Sequence, residues 1–275
     1  MFLFPHAYGE TILKINNVSK SFGDTVVLKD VNVEIKDITR PGVVQGQIVG
    51  FLGPSGIGKS QLFNIMSGLV QPTSGEVLIG KDLQPVKVGN VGVVQQNYPL
   101  FAHRTVFKNL RLAAQKGATP EKDIDAKIHH YLDRFRMSEH VNKFPAQLSG
   151  GQRQRIAIAQ QLLCSEHFLL LDEPFSGLDV LMVEEVSEML VEISNMDEYN
   201  TIIIVSHDIV STAAIADTLW LMGRDRDAQN NPIPGAKIKY SYNLVENGLA
   251  WQKNIETTPE FINLVADVKQ RYATL

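Results

Sequence analysis

Two short segments of this sequence carry residue types that bind phosphate groups. Gly53–Ser60 reads Gly-Pro-Ser-Gly-Ile-Gly-Lys-Ser, and Leu148–Gln152 reads Leu-Ser-Gly-Gly-Gln. Glycines let a backbone turn tightly and aim its N–H groups at an anion, while lysine adds positive charge. The second segment offers a hydroxyl and free N–H groups at the predicted start of a helix, where the helix dipole favours an anion. One chain rarely needs two such sites for one ligand, whereas two copies facing each other would use both.

The first segment matches the P-loop pattern in full. It follows the apolar run Gln47–Leu52, which reads as a strand, and it precedes a predicted helix that runs through Ile65. That strand–loop–helix context is the one in which the pattern binds nucleotides. We therefore expect Lys59 to neutralise the β and γ phosphates of a nucleoside triphosphate and Ser60 to bind Mg²⁺.

Two carboxylates, Asp172 and Glu173, follow the apolar run Phe168–Leu171. Carboxylates at the end of a buried strand cost free energy unless they hold an ion or a proton in transit. We expect Asp172 to hold Mg²⁺, through water, and Glu173 to orient or deprotonate an attacking water. Taken alone, the pair fits a solvated loop equally well, and the P-loop in the same chain favours the catalytic interpretation.

Two more polar residues follow predicted strands. His207 comes after Thr201–Val205, where it would contact a γ-phosphate or hold the attacking water. Gln96 comes after Val91–Val94, where its amide would reach Mg²⁺ or that water. The alternatives are a structural histidine, since the chain has seven, and a solvated glutamine pair with Gln95.

Strands and helices alternate along the chain, with a helical stretch between residues 97 and 161. Short, uniformly apolar strands are typical of parallel sheets that are buried on both faces. This order predicts an α/β sheet domain interrupted by a helical subdomain. The other predicted strands are Thr11–Ile15, Val26–Ile35, Glu76–Ile79 and Lys237–Leu244, the last at a sheet edge, and the other predicted helices are Thr105–Lys116, Glu121–Met137 and Val180–Ser194.

The final predicted helix begins at Thr258-Pro259, an N-cap followed by proline at the first helical position. Its apolar stripe is Phe261, Leu264, Val265, Val268 and Tyr272. We interpret that stripe as core packing and not as a partner site.

The composition of the chain argues against several classes of protein. The net charge of −4 argues against a nucleic-acid partner, and the single Cys164 excludes an internal disulfide. No apolar run approaches the ~18 residues that a membrane-spanning helix needs. Met1–His6 has no basic region and too short an apolar stretch for a signal peptide. We expect a cytoplasmic chain that serves a membrane only through a partner.

The chain resembles the nucleotide-binding subunit of an ATP-binding cassette (ABC) transporter over nearly its whole length. The motifs of that family occur in family order. Phe22 matches the aromatic residue that stacks on adenine, Gly53–Ser60 the Walker A loop, Gln96 the Q-loop glutamine, Leu148–Gln152 the signature, Asp172 and Glu173 the Walker B pair, Ser176–Asp179 the D-loop, and His207 the switch histidine.

The resemblance implies a P-loop NTPase (RecA-like) core with an antiparallel β subdomain and an inserted α-helical subdomain. It implies one cassette domain over 1–275, with a core at about 10–96 and 162–250, a helical subdomain at about 97–161 and a C-terminal helix at about 258–272. It also implies a homo- or heterodimer of cassettes, head to tail around two ATP and Mg²⁺. The implied nucleotide contacts are Phe22, Gly53, Pro54, Ser55, Gly56, Ile57, Gly58, Lys59, Ser60, Gln61, Asp179 and, from the partner, Ser149, Gly151 and Gln152; Glu173, His207, Gln96 and Lys59 would be catalytic, and Ser60, Gln96 and Asp172 would bind the metal.

A membrane permease is the further partner that the resemblance implies. The segment Tyr98–Phe107 is unusually aromatic, and we expect it to form a groove for a cytoplasmic helix of that permease at the inner face of the membrane. The alternative is that Leu100, Phe101 and Phe107 belong to the core. Residues 207–261 resemble importers of the nitrate, sulfonate and taurine type, which implies an extracytoplasmic solute-binding protein as well.

Other functions remain open at this point. Exporter and lipid-transport cassettes share all these motifs. Soluble ABC ATPases usually carry tandem cassettes or long coiled coils, and a P-loop kinase would not need the signature, D-loop and switch histidine together. One departure from the family is Asp37–Gln45, which is longer than the usual link before the strand that leads into the P-loop.

Overall fold

A computed structural model describes residues 4–165 and 167–275; Met1–Leu3, on which part of the signal-peptide expectation rests, lie outside the described residues, as does Glu166. Its strands form one ten-stranded sheet in the order β5-β4-β1-β2-β10-β9-β3-β8-β7-β6. The strands are β1 (Ala7–Phe22), β2 (Thr25–Thr39), β3 (Gln47–Leu52), β4 (Ser74–Ile79), β5 (Gln84–Pro85), β6 (Gly92–Val94), β7 (Phe168–Asp172), β8 (Thr201–Ser206), β9 (Thr218–Arg226) and β10 (Pro232–Asn243).

The half of the sheet that contains β3 is parallel and buried on both faces. β3 lies between β9 and β8, and β7 and β6 follow beyond β8, all in parallel register. Leu169 and Leu171 face one hydrophobic cluster, while Phe168 and Leu170 face another. The uniformly apolar runs in the sequence arise because successive side chains enter cores on opposite faces.

The other half of the sheet is antiparallel, with β1 between β2 and β4 and β5 beyond β4. β1 and β2 extend past both ends of the predicted strands, because many of the added residues, such as Ala7–Glu10 and Thr25, are exposed and lack an apolar pattern. The strand predicted at 237–244 corresponds to most of β10, but the prediction that it lies at a sheet edge was wrong. β10 lies inside the sheet, antiparallel to β9 and bridged to β2 through Ala236 and Leu28.

Helices α2 to α4 lie between β6 and β7 in the sequence, as the helical stretch predicted. They pack with α5 against one face of the parallel strands through a shared core. The helices are α1 (Lys59–Met66), α2 (Val106–Ala114), α3 (Ile124–Arg134), α4 (Gly150–Cys164), α5 (Val180–Ser194), α6 (Ile209–Ile215) and α7 (Pro259–Tyr272).

The C-terminal helix α7 is capped by Thr258, whose hydroxyl accepts a hydrogen bond from the N–H of Phe261 at 3.3 Å. Phe261, Leu264, Val265 and Val268 are buried, and Tyr272 packs at the margin of the same cluster. The stripe is core packing, as the sequence predicted.

The link before β3, predicted to be long, is partly strand. β2 continues to Thr39, and a turn follows that is closed by a bridge between Arg40 and Val43.

In the part of the chain that the structure describes, no helix is both long and apolar enough to span a bilayer.

Candidate nucleotide-binding site

The P-loop connects the end of β3 at Leu52 to the start of α1 at Lys59. Gly56 and Gly58 have φ angles of 76° and 113°, a region that glycine enters without the strain a side chain would bring. Gly58 is the N-cap of α1, so the free N–H groups of the first helical turn lie at the loop. A Cβ added to Gly53 would stand 3.1 Å from Ile57 Cγ2 and 3.2 Å from Met222 Cβ, so the loop is closely packed at its start.

Lys59 folds back over its own loop. Its ammonium Nζ donates hydrogen bonds to the carbonyl oxygens of Gly53 at 2.6 Å and Pro54 at 3.2 Å. Burial lowers the pKa of Lys59, and the carboxylates of Glu173 and Asp172 oppose that shift. The ammonium is therefore a partly desolvated cation held beside a ring of N–H donors, which suits an incoming phosphate.

A cavity of about 490 Å³ lies beside the start of α1. It is lined by Ser60, Gln96 and Asp172, the three residues expected to bind a metal, together with Phe63, Asn64, Gln95 and Asn97. A hydroxyl, an amide and a carboxylate are the oxygen donors that Mg²⁺ takes alongside phosphate oxygens. Among the described residues, no group of three or more His, Cys, Asp or Glu side chains could hold a metal. The donor set fits a metal that arrives with a phosphate ligand.

Asp172 ends β7 and lines this cavity, and Glu173 follows it in the chain. Burial raises the pKa of Asp172, and the neighbouring Glu173 raises it further, while Lys59 lowers it. Glu173 takes a left-handed backbone conformation with φ of 50°, uncommon for a residue with a side chain. Its N–H donates to the carbonyl of Val205 at 2.8 Å, which fixes the turn to the end of β8.

One oxygen of the Glu173 carboxylate is engaged with residues at the end of β8. Glu173 Oε2 lies 2.8 Å from Nδ1 of His207 and accepts from the Ser206 hydroxyl at 3.1 Å. The backbone N–H of His207 lies 3.3 Å from the same oxygen. The imidazole is 57% exposed and the carboxylate 16%, so the histidine can swing toward a ligand while the carboxylate stays sheltered. Sequence reasoning missed Ser206, because a hydroxyl in an apolar strand matches no spacing pattern.

Gln96 connects the end of β6 to the loop after β7. Its Nε2 donates to the hydroxyl of Ser176 at 3.1 Å. Nearby, Nε2 of the fully buried Gln154 donates to the carbonyl of Pro174 at 2.9 Å. Residues that precede α2 and residues of α4 thus contact the loop that carries Asp172 and Glu173, so a movement of the helices would reach the site.

The signature segment forms the N-terminus of α4. Ser149 is its N-cap: the hydroxyl accepts from the N–H of Gln152 at 3.2 Å, and Oε1 of Gln152 accepts from the N–H of Ser149 at 3.0 Å. Nε2 of Gln152 lies 2.9 Å from Nε2 of His140. This capping box leaves Ser149 and Gly150 exposed at a helix N-terminus, whereas Gly151 is buried.

The signature lies against α5 and not at the cavity. None of its residues lines the cavity beside Ser60, and a Cβ added to Gly151 would collide with Met182 near the start of α5. Asp179 caps α5, its carboxylate accepting from the N–H of Met182 at 2.9 Å. Val180 and Leu181 are 83% and 71% exposed beside it, an apolar pair that is unusual on a solvated helix start.

Phe22 ends β1 with its ring 53% exposed, and the ammonium of Lys20 lies 5.1 Å from the ring centroid. An exposed aromatic face at a strand end can stack on a base.

In the aromatic segment after Gln96, Tyr98, Leu100 and Phe107 pack at the margin of the helical core, and Phe101 is 46% exposed. The alternative of core packing therefore holds for Leu100 and Phe107, and Phe101 remains available to a partner.

A glycine-rich loop between a parallel strand and a helix, with acidic residues at the end of a nearby strand, defines the P-loop nucleoside-triphosphatase class. The RecA-like parallel core, the antiparallel β region and the inserted helices complete that fold class. Within it, the ABC transporter family model matches residues 39–176, half of the chain. The chain belongs to the ABC transporter family.

Named relatives are import ATP-binding proteins. The sulfate/thiosulfate import ATP-binding protein CysA of Gloeobacter violaceus is 37% identical over 218 residues, which are 78% of this chain and 61% of that protein. The spermidine/putrescine import ATP-binding protein PotA of Thermotoga maritima is 38% identical over 222 residues, 79% of this chain and 57% of that protein. The match thus spans about three fifths of the length of these relatives.

Solved structures agree on the fold. CbiO1 from Clostridium perfringens, part of the ABC transporter complex CbiONQ, superposes with a TM-score of 0.72 at 27% identity over 95% of this chain and 97% of that one. The ATP-binding cassette MJ0796, in a dimeric post-hydrolysis state bound to ADP and Pi, gives a TM-score of 0.66 at 27% identity over 85% of this chain and 99% of that one.

Proposed function

We propose that this chain is the ATP-binding and ATP-hydrolysing subunit of an ABC importer. One observation carries the proposal: Ser60 at the end of the P-loop and Asp172 line one cavity at the carboxyl edge of the parallel strands, and Glu173, next to Asp172, contacts the switch histidine. ATP would seat its phosphates on the loop Gly53–Gly58 with Gln61 just beyond, and its adenine on Phe22. Lys59 would leave its carbonyl partners for the β and γ phosphates.

Magnesium fits the cavity as a companion of ATP. Ser60 would ligate it directly, Asp172 through water, and Gln96 through its amide oxygen. When bound, the metal would neutralise phosphate charge; the chain's own residues position the water. Gln96 would have to turn from Ser176, so metal binding and movement of the loop after β7 would be linked.

Hydrolysis requires Glu173 to exchange partners. Its carboxylate contacts His207 and Ser206 in this structure, and it would orient or deprotonate a water aimed at the γ-phosphate once ATP is seated. The exposed imidazole of His207 would then turn toward the γ-phosphate. Until the nucleotide binds, the contact between Glu173 and His207 would keep both side chains close to the position of the γ-phosphate.

A second copy of a cassette would complete the site. Ser149, Gly151 and Gln152 present a helix N-terminus away from the cavity of their own chain. In a head-to-tail dimer that N-terminus would meet the γ-phosphate held by the partner's P-loop. Asp179 and the exposed pair Val180 and Leu181 would lie in the same interface, which accounts for apolar side chains at a solvated position. ATP would then be part of the dimer interface, and ATP hydrolysis would reopen that interface.

A membrane permease is the partner that would use this opening and closing. Phe101 projects at the edge of the inserted helices, and the segment from Tyr98 to Phe107 begins two residues after Gln96. A change in the contact between Gln96 and Ser176 would therefore be transmitted to a permease helix docked there. The cassette would lie at the cytoplasmic face of the membrane through this contact, and an extracytoplasmic solute-binding protein would deliver the solute.

Import is favoured over export because the named relatives are import ATP-binding proteins. They are named for sulfate/thiosulfate and for spermidine/putrescine, chemically opposite solutes, so the cassette does not define the solute. An exporter or lipid-transport cassette, or a soluble ABC ATPase, is the alternative. Purifying the chain with its genomically adjacent permease and measuring ATP-dependent uptake into vesicles separates these functions: uptake supports the importer, extrusion supports the exporter, and ATPase activity without any permease partner supports the soluble enzyme.

A further inference from the structure

The side chain of His140 contacts the signature segment from outside it. His140 ends the short 3₁₀ turn Ser138–His140 and is partly buried. Its Nε2 lies 2.9 Å from Nε2 of Gln152, the last residue of the signature. A residue that belongs to none of the nucleotide-binding motifs thus touches the segment proposed to meet the nucleotide of a partner subunit.

The direction of this hydrogen bond follows from the other end of the Gln152 amide. Oε1 of Gln152 accepts from the N–H of Ser149 at 3.0 Å, and a backbone N–H can only donate. The amide oxygen therefore faces Ser149, and the amide nitrogen, which is also only a donor, faces His140. The imidazole Nε2 must accept this bond, so the proton of the neutral ring lies on Nδ1.

This arrangement is unfavourable for the imidazole itself. Nδ1 of His140 is buried and has no hydrogen-bond partner among the described residues. A buried N–H without a partner costs free energy, because it gives up its hydrogen bonds to water. An apolar side chain would avoid that cost. The stability of the turn therefore gives no reason for a histidine, whereas the bond to Gln152 does.

Backbone hydrogen bonds fix the turn that carries His140 to the start of α2. The carbonyl of Val141 accepts from the N–H of Phe107 at 3.0 Å, and the carbonyl of Lys143 accepts from the N–H of Val106 at 2.8 Å. The N–H of Lys143 donates in turn to the carbonyl of His140 at 3.0 Å. The backbone on which the imidazole acceptor is mounted is thus tied to the inserted helices.

We propose that His140 is a positioning residue of the shared ATP site: it fixes the Gln152 side chain, so that the signature presents a preformed contact to ATP held by the partner subunit. The inference rests on the proposed function, in which the signature acts on the nucleotide of another cassette. The Gln152 amide has two N–H groups, and one remains for that nucleotide when the other is bound to His140. Without the imidazole, the Gln152 side chain would have to be ordered when the dimer closes, at a cost in entropy.

The first test compares His140→Leu with the conservative variant His140→Gln, and measures ATPase kcat and the thermal midpoint. Leucine offers no acceptor, whereas the amide oxygen of glutamine can take the place of the imidazole Nε2. We expect kcat to fall roughly tenfold in His140→Leu and to return to within about twofold of wild type in His140→Gln. The midpoint of His140→Leu should be unchanged or higher, because the unpartnered N–H is gone. His130→Leu, at an exposed site on α3, is the matched control and should leave kcat unchanged.

Mixing variants gives the second readout, because a defect in the signature acts in the site of the partner subunit. In a head-to-tail dimer of His140→Leu with Lys59→Ala, one site has both defects and the other has neither. With random pairing the mixture should reach roughly a quarter of wild-type activity, above the level of about a tenth for His140→Leu alone. Mixing His140→Leu with Ser149→Arg should give no gain over His140→Leu, since both defects affect the signature.

Four results would each overturn the proposal: an unchanged kcat in His140→Leu, a lower midpoint in that variant, a loss that His140→Gln does not restore, or a mixture with Lys59→Ala that is less active than His140→Leu alone. The mixture of Lys59→Ala with Ser149→Arg, measured alongside, tests the shared site separately. Without recovery in that mixture the proposed function fails, and with recovery only the role of His140 is at stake.

Discussion

Nδ1 of His207 lies 2.8 Å from Oε2 of Glu173, and 34 residues separate the two along the chain. The contact exists because β7 and β8 are adjacent parallel strands whose carboxyl ends meet at one edge of the sheet. It joins the group proposed to prepare the water with the group proposed to sense the γ-phosphate. While Glu173 is bound to His207, its carboxylate is restrained; we expect it to be released when the γ-phosphate of a bound nucleotide becomes the partner of His207.

Replacing Glu173 with glutamine should therefore abolish turnover without weakening ATP binding. The amide keeps the size of the side chain and cannot take a proton, so we expect kcat to fall by roughly 10²–10⁴-fold, as for loss of a general base. Calorimetric affinity for ATP should be retained, and an ATP-bound dimer should accumulate on a sizing column. Glu192→Gln, a surface carboxylate paired with Arg134, is the matched control and should hydrolyse ATP normally. Normal turnover in Glu173→Gln would refute its assigned role.

Lys59→Ala should lose ATP affinity. The ammonium is half-buried beside the loop N–H groups, and its charge-assisted bonds to phosphate have no substitute. Loss of one such bond corresponds to roughly 10–100-fold weaker binding by isothermal titration. Lys14→Ala, which breaks an exposed pair with Glu34, should bind ATP as the wild type does. Equal affinity in Lys59→Ala and wild type would count against the P-loop assignment.

Asp217 gives the fold a pH dependence that is separate from the ATP site. It is 3% exposed, its Oδ2 accepts from the N–H of Ile48 at 2.6 Å, and burial raises its pKa to about 7. Because this folded-state pKa lies above the unfolded value of about 3.9, the stabilisation from this carboxyl is complete below pH 4. It is lost as pH rises through about 7.

Asp217→Asn should remove that dependence, since the amide keeps an acceptor for Ile48 and carries no charge. We expect urea unfolding to show that the free-energy difference between the two proteins changes by a few kcal/mol from pH 4 to pH 8, in favour of the variant at high pH. The N–H donors of the amide give a constant offset at all pH values. Parallel pH profiles for variant and wild type would contradict the raised pKa.

Phe101→Glu should uncouple transport from hydrolysis. Phe101 is exposed in the segment proposed to contact the permease, and its removal leaves the core contacts of Leu100 and Phe107 in place. In reconstituted vesicles we expect uptake to fall at least about tenfold because a buried charge opposes docking, while ATP affinity stays unchanged. Ile262→Glu, at an exposed apolar site on α7, should transport normally. Equal loss of ATP binding and uptake in Phe101→Glu would argue against a docking role.

The parallel core and the motif positions could be predicted because each depends on local sequence. The bounds of β3 and α5 were correct to the residue, since apolar runs and the Asp179 cap mark them directly. The place of β10 could not be predicted, because it depends on pairing with strands far away in the sequence. The contacts of Ser206 with Glu173 and of Gln96 with Ser176 could not be predicted either, because they join residues that are far apart in the sequence.

The shared site is the central claim, and mixing two defective subunits tests it most directly. In a head-to-tail dimer of Lys59→Ala with Ser149→Arg, one site has both defects and the other has neither. We predict that mixing two inactive homodimers restores ATPase activity, at most to about a quarter of wild type with random pairing. Each variant must keep its fold by circular dichroism, since Ser149 also caps α4. No recovery, despite heterodimers demonstrated by cross-linking, would contradict the shared-site geometry.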